Sequence, residues 1–179
     1  MTVATKHPLY KKWSDKWERQ RDVLEGEDQV KKQGAKYLPV LDGQTDPAFA
    51  GLVSSYEAYK TRASFLNATG RTQEGLSGAI SRKPAIVQWP GDAVTLDIIG
   101  RNLESFRELQ ESATDEVIGV GRYGQLVDMP IAGEGHPFIA EYSAESIVDW
   151  EVGEVGGRTV PVMVKLLEKF TVMTDRGER

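Results

Sequence analysis

The sequence predicts an α+β chain in which helices come first and a small, mostly antiparallel sheet follows. Two observations lead there. Before residue 120, apolar residues recur every three or four positions, the repeat of a helix with one buried face. After residue 120 the repeat shortens to two, the alternation of half-buried strands. Helices in a run, then strands in a run, argue against the alternating order of a parallel α/β sheet.

Residues 8–25 read as an amphipathic helix, with Tyr10, Trp13, Trp17 and Leu24 on one face and Gly26 as its stop. Two tryptophans on a charged helix suit docking onto a larger surface, so Tyr10, Trp13 and Trp17 are candidate interface residues; packing on the chain's own core is the alternative. Residues 26–36 are polar and read as a loop. Residues 37–41 are apolar but interrupted by Pro39, which has no N–H for a ladder, so they read as an edge or an extended connector. A helix then starts with Asp46 as N-cap and Pro47 at its first position. Phe49, Leu52, Val53, Tyr56, Tyr59, Ala63 and Leu66 carry its stripe. Gly70 breaks it, and 72–80 reads as a shorter helix ended by Arg82-Lys83-Pro84, because the residue before proline avoids helical backbone.

Residues 84–101, with Pro84, Pro90, Gly91 and Gly100, read as loop with a short strand at most. A helix follows over 102–118, striped by Leu103, Phe106, Leu109, Ala113 and Val117. Strands are expected around Leu126-Val127, over 138–142, over 147–152 and over 159–170, with a turn at 153–157. Thr171-Val172-Met173 is strand-like and Asp175-Arg176-Gly177 is turn chemistry, which suggests a hairpin whose return lies past Arg179. The expected division is a helix and polar loop over 1–36, then an α+β domain over 37–179 cut short at its end.

Composition narrows function. With 179 residues, 40% hydrophobic and 27% charged, the chain can bury a core of its own. It has no cysteine, so disulfides, thiolate metal sites and cysteine nucleophiles are excluded. No apolar run approaches the ~20 residues of a membrane-spanning helix, and the first residues lack the apolar core of a secretory signal. Net charge is −5, and Lys11-Lys12 and Lys31-Lys32 are interleaved with acids. Without a basic stripe, tight duplex-DNA binding is not expected.

Chemical motifs are few. Gly119-Val120-Gly121-Arg122-Tyr123-Gly124 matches the spacing of a dinucleotide fingerprint. That fingerprint needs a strand before it and a helix after it, so that the helix N-terminus meets the pyrophosphate. Here the expected order is reversed, and the glycines read as a helix end and a tight turn. An enzyme acting on nucleotides is therefore the weaker reading. His7 and His136 are the only histidines, and neither has a second ligand at metal-binding spacing. Asp128 ends a strand before Met129-Pro130 and so could face a site, though loop structure alone explains it. Trp150 reads as a core or interface aromatic. No cofactor or metal site is expected.

Several stretches, taken in order, resemble portal proteins of tailed phages. They are Tyr37-Leu38-Pro39; Tyr59 through Asn67-Ala68-Thr69-Gly70-Arg71-Thr72; Leu76-Ser77-Gly78-Ala79-Ile80 up to Arg82-Lys83-Pro84; Gly121-Arg122-Tyr123-Gly124-Gln125-Leu126-Val127-Asp128-Met129-Pro130; and, after His136-Pro137-Phe138, Tyr142-Ser143-Ala144-Glu145-Ser146-Ile147-Val148-Asp149-Trp150. The family-motif positions are thus Gly121, Arg122, Gly124, Leu126, Val127, Asp128, Pro130, Tyr142, Glu145, Ile147 and Trp150. The resemblance implies a structural virion protein and not an enzyme. Its partners would be other portal subunits in a ring, typically of twelve, at a capsid vertex, with capsid and scaffolding proteins as neighbours. DNA would pass through that ring without tight binding. The matching part of the family is the outer wing, an α+β region. The long stem helices and the clip that meets terminase have no counterpart here, so terminase and tail contacts are not expected of this chain. The virion, and the host cytoplasm during assembly, would be its location. A stand-alone interaction module anchored by Trp13 and Trp17 is the other reading.

Overall fold

The computed structural model describes residues 5–42, 53–88, 90, 94–130 and 136–168. Helices α1 (Pro8–Glu25), α2 (Glu27–Lys32), α3 (Val53–Arg62), α4 (Ala68–Ile80), α5 (Val94–Asp97) and α6 (Phe106–Gly119) precede strands β1 (Tyr123–Asp128), β2 (Phe138–Ser143), β3 (Ile147–Val155) and β4 (Arg158–Leu166). Single 3₁₀ turns occupy Gly34–Lys36 and Ala144–Ser146. The fold is α+β. Its strands form two antiparallel pairs, β1 with β2 and β3 with β4. The chain gathers into two compact units, one of residues up to Trp17 together with those from Pro84 onward, the other of Glu18–Lys83. These bounds differ from a division at residue 36, and α1 supplies residues to both units.

Within Glu18–Lys83, α1 stops where the sequence places its stop. Gly26 has φ +94°, a backbone that side chains with a Cβ rarely adopt. The following segment is not a loop, as its polarity suggests, but α2 and a 3₁₀ turn. Glu27 and Asp28 lie in the first turn of α2 and Lys31 and Lys32 in its last, matching the helix dipole. Only Val30 is buried in that helix, too little for an apolar repeat to reveal it. Residues 37–41 form no strand; they turn and run on as a connector.

A buried carboxylate ties these pieces together. Asp22 is 3% exposed. It accepts hydrogen bonds from Gln29 (2.8 Å), Gln33 (3.0 Å), the Lys36 ammonium (2.9 Å) and the Tyr37 hydroxyl (2.6 Å). Burial by itself would raise its pKa, but the four donors outweigh burial and hold the carboxyl well below the usual range. Lys36 also pairs with Glu18 at 2.8 Å, and these two carboxylates raise its own pKa.

Asn67 makes a second junction in the same unit. Its Oδ1 caps α4 by accepting from the Gly70 N–H (2.8 Å), and its Nδ2 donates to the Leu24 carbonyl in the last turn of α1 (3.1 Å). Gly70 does not break a helix, contrary to expectation. It is buried in the first turn of α4, and a Cβ there would stand 2.5 Å from the Asn67 amide. Helix α3 ends at Arg62, so Leu66 falls outside it and is exposed. Asp46, Pro47, Phe49 and Leu52 lie outside the described residues.

In the other unit, Ser105 starts α6 later than the apolar stripe suggests. Its hydroxyl accepts from the Glu108 N–H (3.3 Å), and the Glu108 carboxylate accepts from the Ser105 N–H (2.7 Å). Leu103 is left outside the helix with φ +68°, and Leu109 becomes the buried anchor. Val117 is exposed, whereas Val120 is buried. The 84–101 segment contains the one-turn α5, and Gly100 makes a parallel bridge to Ile139. The β3–β4 turn is tighter than expected. Gly153 stays in β3, and Gly156 and Gly157, at φ +59° and +75°, form a two-residue link between Val155 and Arg158. Residues 171–179 lie outside the described residues. The core has two clusters, Tyr10, Trp17, Val120, Ala144 and Val148 in one and Ala140, Tyr142 and Ile147 in the other, with Trp150 packed on both.

The Asp22 network generates a stability prediction. Asp22→Asn leaves its four donors around a neutral acceptor and should cost about 2–4 kcal/mol in urea unfolding at pH 7. A carboxyl held low in the folded state stabilises above its unfolded pKa and loses that contribution as pH falls. The gap between wild type and Asp22→Asn should therefore narrow below about pH 4. A gap that stays constant down to about pH 2 would show that the carboxylate charge is not the source.

Candidate functional site

The site is a cleft of about 560 Å³ beside the first core cluster. Leu9, Trp13 and Trp17 of α1 form one wall, Val120, Gly121 and Arg122 come from the turn after α6, and Trp150 comes from β3. Periodicity explains the first wall: residues 9, 13 and 17 succeed one another by four along a helix. Tyr10 and Trp17 are buried and meet edge to face, with centroids 5.5 Å apart. Of the three candidate interface aromatics, only Trp13 is exposed, at 43%. The Tyr10 hydroxyl donates to the Glu145 carbonyl (3.1 Å), which fixes α1 to the 3₁₀ turn before β3.

Arg122 occupies the centre. Its guanidinium lies 4.0 Å from the Trp150 ring centroid and 5.5 Å from that of Trp17. His7 stacks on the same indole at 4.0 Å, and its backbone N–H donates to the Val148 carbonyl (3.0 Å). Among the described residues no carboxylate forms an ion pair with Arg122. Burial is the main influence on its pKa and lowers it. A partly desolvated cation with aromatic faces and uncommitted N–H edges is suited to receive an acidic group.

The glycine pattern at 119–124 sets this geometry and has no nucleotide architecture. Gly119 ends α6, Val120 is the C-cap, and Gly121 turns the chain at φ +82° into β1. The helix comes before the glycines and the strand after them, as the sequence suggests. Gly124 lies opposite Tyr142, where a Cβ would stand 3.0 Å from the Ile147 side chain.

The other motif positions divide between packing and surface. Tyr142 and Ile147 are buried in the second core cluster. Leu126, Val127 and Asp128 lie exposed along β1, Asp128 accepts from the Met129 N–H (2.8 Å), and Pro130 is half-buried beyond the strand. His136 is exposed. A second, polar cleft of about 470 Å³ contains Arg101, Glu141, Tyr142 and Glu168. Its groups are engaged with one another: Glu168 accepts from Tyr142 (2.5 Å) and Arg101 (2.9 Å), which lower its pKa, and Glu141 accepts from Tyr123. Burial and that bond push Tyr123 up to about 12. Among the described residues, no group of three His, Asp or Glu side chains is placed to hold a metal ion.

The sequence offered no signal that singled out Arg122 as the centre. Its role depends on bringing α1, the post-α6 turn and β3 together, across more than a hundred residues of chain.

The cleft separates packing from charge. Trp150→Ala should cost about 3 kcal/mol or more, because it empties a position against both core clusters. Arg122→Met keeps an apolar stem and should stay within about 1 kcal/mol of wild type, since the lost cation–π attraction is offset by relief of desolvation. Urea denaturation of both variants checks this, and a large loss in Arg122→Met would make the guanidinium a structural group. No family model matches the chain, and no curated protein matches it.

Proposed function

We propose that the chain is a structural assembly subunit, the wing-region part of a tailed-phage portal, and not an enzyme. The observation that supports this best is the apolar surface of its strands. Val152 (63%), Val155 (61%), Val162 and Val164 are exposed on the β3–β4 hairpin, as are Leu126 and Val127 along β1 and Met129 just beyond it. An isolated two-stranded hairpin is marginal in water, and aliphatic side chains on its faces favour a partner that covers them. The portal reading itself rests on the ordered motif resemblance. Of those motif residues, Asn67, Gly70, Gly121, Gly124, Tyr142 and Ile147 have roles in capping, turning or packing. On this reading the chain contributes to a ring at the capsid vertex during DNA packaging and head–tail connection, with DNA passing and not gripped.

Gene order tests the proposal. A portal gene is expected beside that of a terminase large subunit, and reading past the codon for Arg179 should reveal stem and clip segments. A neighbourhood without phage morphogenesis genes would overturn it.

A further inference from the structure

We infer that the cleft around Arg122 receives the β3–β4 hairpin of a second copy of this chain, with Val152 against the tryptophans and Glu154 on the guanidinium. The inference deepens the assembly reading above and rests on it. Three features carry it: a cation with no carboxylate partner among the described residues, a matching acidic–apolar ligand on the same chain, and a geometry that keeps that hairpin out of its own cleft.

The walls of the cleft are apolar, Trp13 and Leu9 are exposed, and Arg122 has no carboxylate partner among the described residues. Such a cleft is complementary to one carboxylate flanked by an aliphatic side chain. The guanidinium is already partly desolvated beside two indoles, so part of the desolvation cost of an ion pair is met before a partner arrives.

The hairpin presents that combination. Along β3, Trp150, Val152 and Glu154 alternate with Glu151, Gly153 and Val155, and the ladder shifts register between Glu151 and Val152, which increases the local twist towards the exposed Val152 and Glu154. Val152 and Glu154 are both exposed, Val152 facing Pro161 and Glu154 facing Thr159 across the ladder. The hairpin therefore offers a carboxylate two residues from a valine, flanked by uncharged neighbours on β4.

Self-occupation is geometrically excluded. Trp150 is both a wall of the cleft and the root of the hairpin arm. Val155 lies five residues farther along an extended strand, roughly 17 Å away. Folding Glu154 back to Arg122 would break the β3–β4 ladder that holds Trp150 in place. A β3–β4 hairpin seated in this cleft therefore comes from another molecule. Cleft and hairpin are different surfaces, so the contact is head-to-tail, and repetition gives a ring if it closes and a filament if it does not.

Charge reversal in the full chain tests this. Sedimentation velocity over a concentration series should show self-association by wild type that weakens with added salt. Arg122→Glu and Glu154→Arg should each weaken it at least tenfold. An equimolar mixture of the two variants should recover it, because each then offers the charge that the other lacks. Circular dichroism of each variant checks that its fold is kept, and recovery in the mixture could not arise from unfolded chains. The inference is overturned if wild type remains monomeric up to roughly 100 µM, or if it associates with no response to either reversal. A chain that forms rings indifferent to Arg122 and Glu154 would keep the assembly reading and remove this interface. Association through the cleft, in a chain encoded away from any phage morphogenesis gene, would keep this interface and remove the portal reading.

Discussion

The edge-on packing of Tyr10 against Trp17, seated on Val120, Ala144 and Val148, is the interaction from which the strand-bearing unit is organised. It draws an N-terminal helix onto residues more than a hundred positions later in the chain. The Tyr10 hydroxyl, bonded to the Glu145 carbonyl, sets the helix's position along its axis. The His7 N–H, bonded to Val148, secures the helix start beside β3. With those contacts made, Trp13 and Leu9 stand on the open side of the same helix and Trp150 on the facing strand. The cleft follows from the core: it is the remaining side of the helix whose other side is buried. The contact spans so much sequence that its closure entropy must be met by large aromatic area, which accounts for tyrosine and tryptophan at these positions.

Glu18–Lys83 follows a different principle. Val30 is its one buried hydrophobic side chain among the described residues, and a single buried carboxylate organises the turn between α2 and the connector. Asp22 succeeds there because every donor around it comes from a short segment, 29 to 37, whose own backbone is already tightly turned. The asymmetry between the units is chemical: one is held by aromatic burial, the other by a saturated charge.

Elements with a strong period were legible in the sequence. Helix α1 has its expected bounds, β1, β2 and β3 contain their expected cores, and β4 ends at Leu166, short of the strand expected over 159–170. What escaped was governed by specific polar chemistry that periodicity does not register. Helix α2 is polar almost throughout and depends on Asp22 for its docking. The Gly70 expectation failed because glycine there serves a close approach to Asn67 and not a break. The start of α6 moved because the Ser105–Glu108 box overrides a leucine in phase with the stripe. The turn after β3 moved because paired positive-φ glycines define it more sharply than a glycine-rich window does. Tyr10, Trp13 and Trp17 were recognisable as a set, but a helical repeat alone does not say which aromatic faces inward. Arg122 was the least legible of all. An arginine between glycines reads as a turn residue until the two indoles that flank it are in place.

Gly121 gives this arrangement an evolutionary edge. It is the one cleft residue without a side chain, and a Cβ built on it would meet nothing within 4 Å. Space is therefore not what excludes other residues; the φ of +82° is. Aspartate tolerates that backbone better than most residues, for which the cost is roughly 1–2 kcal/mol. Two of the four glycine codons become aspartate codons by a single nucleotide change. An aspartate at 121 would give Arg122 a counter-ion from its own chain and leave nothing for an incoming carboxylate to neutralise. A single point mutation thus separates a receptive cleft from one that is permanently self-satisfied.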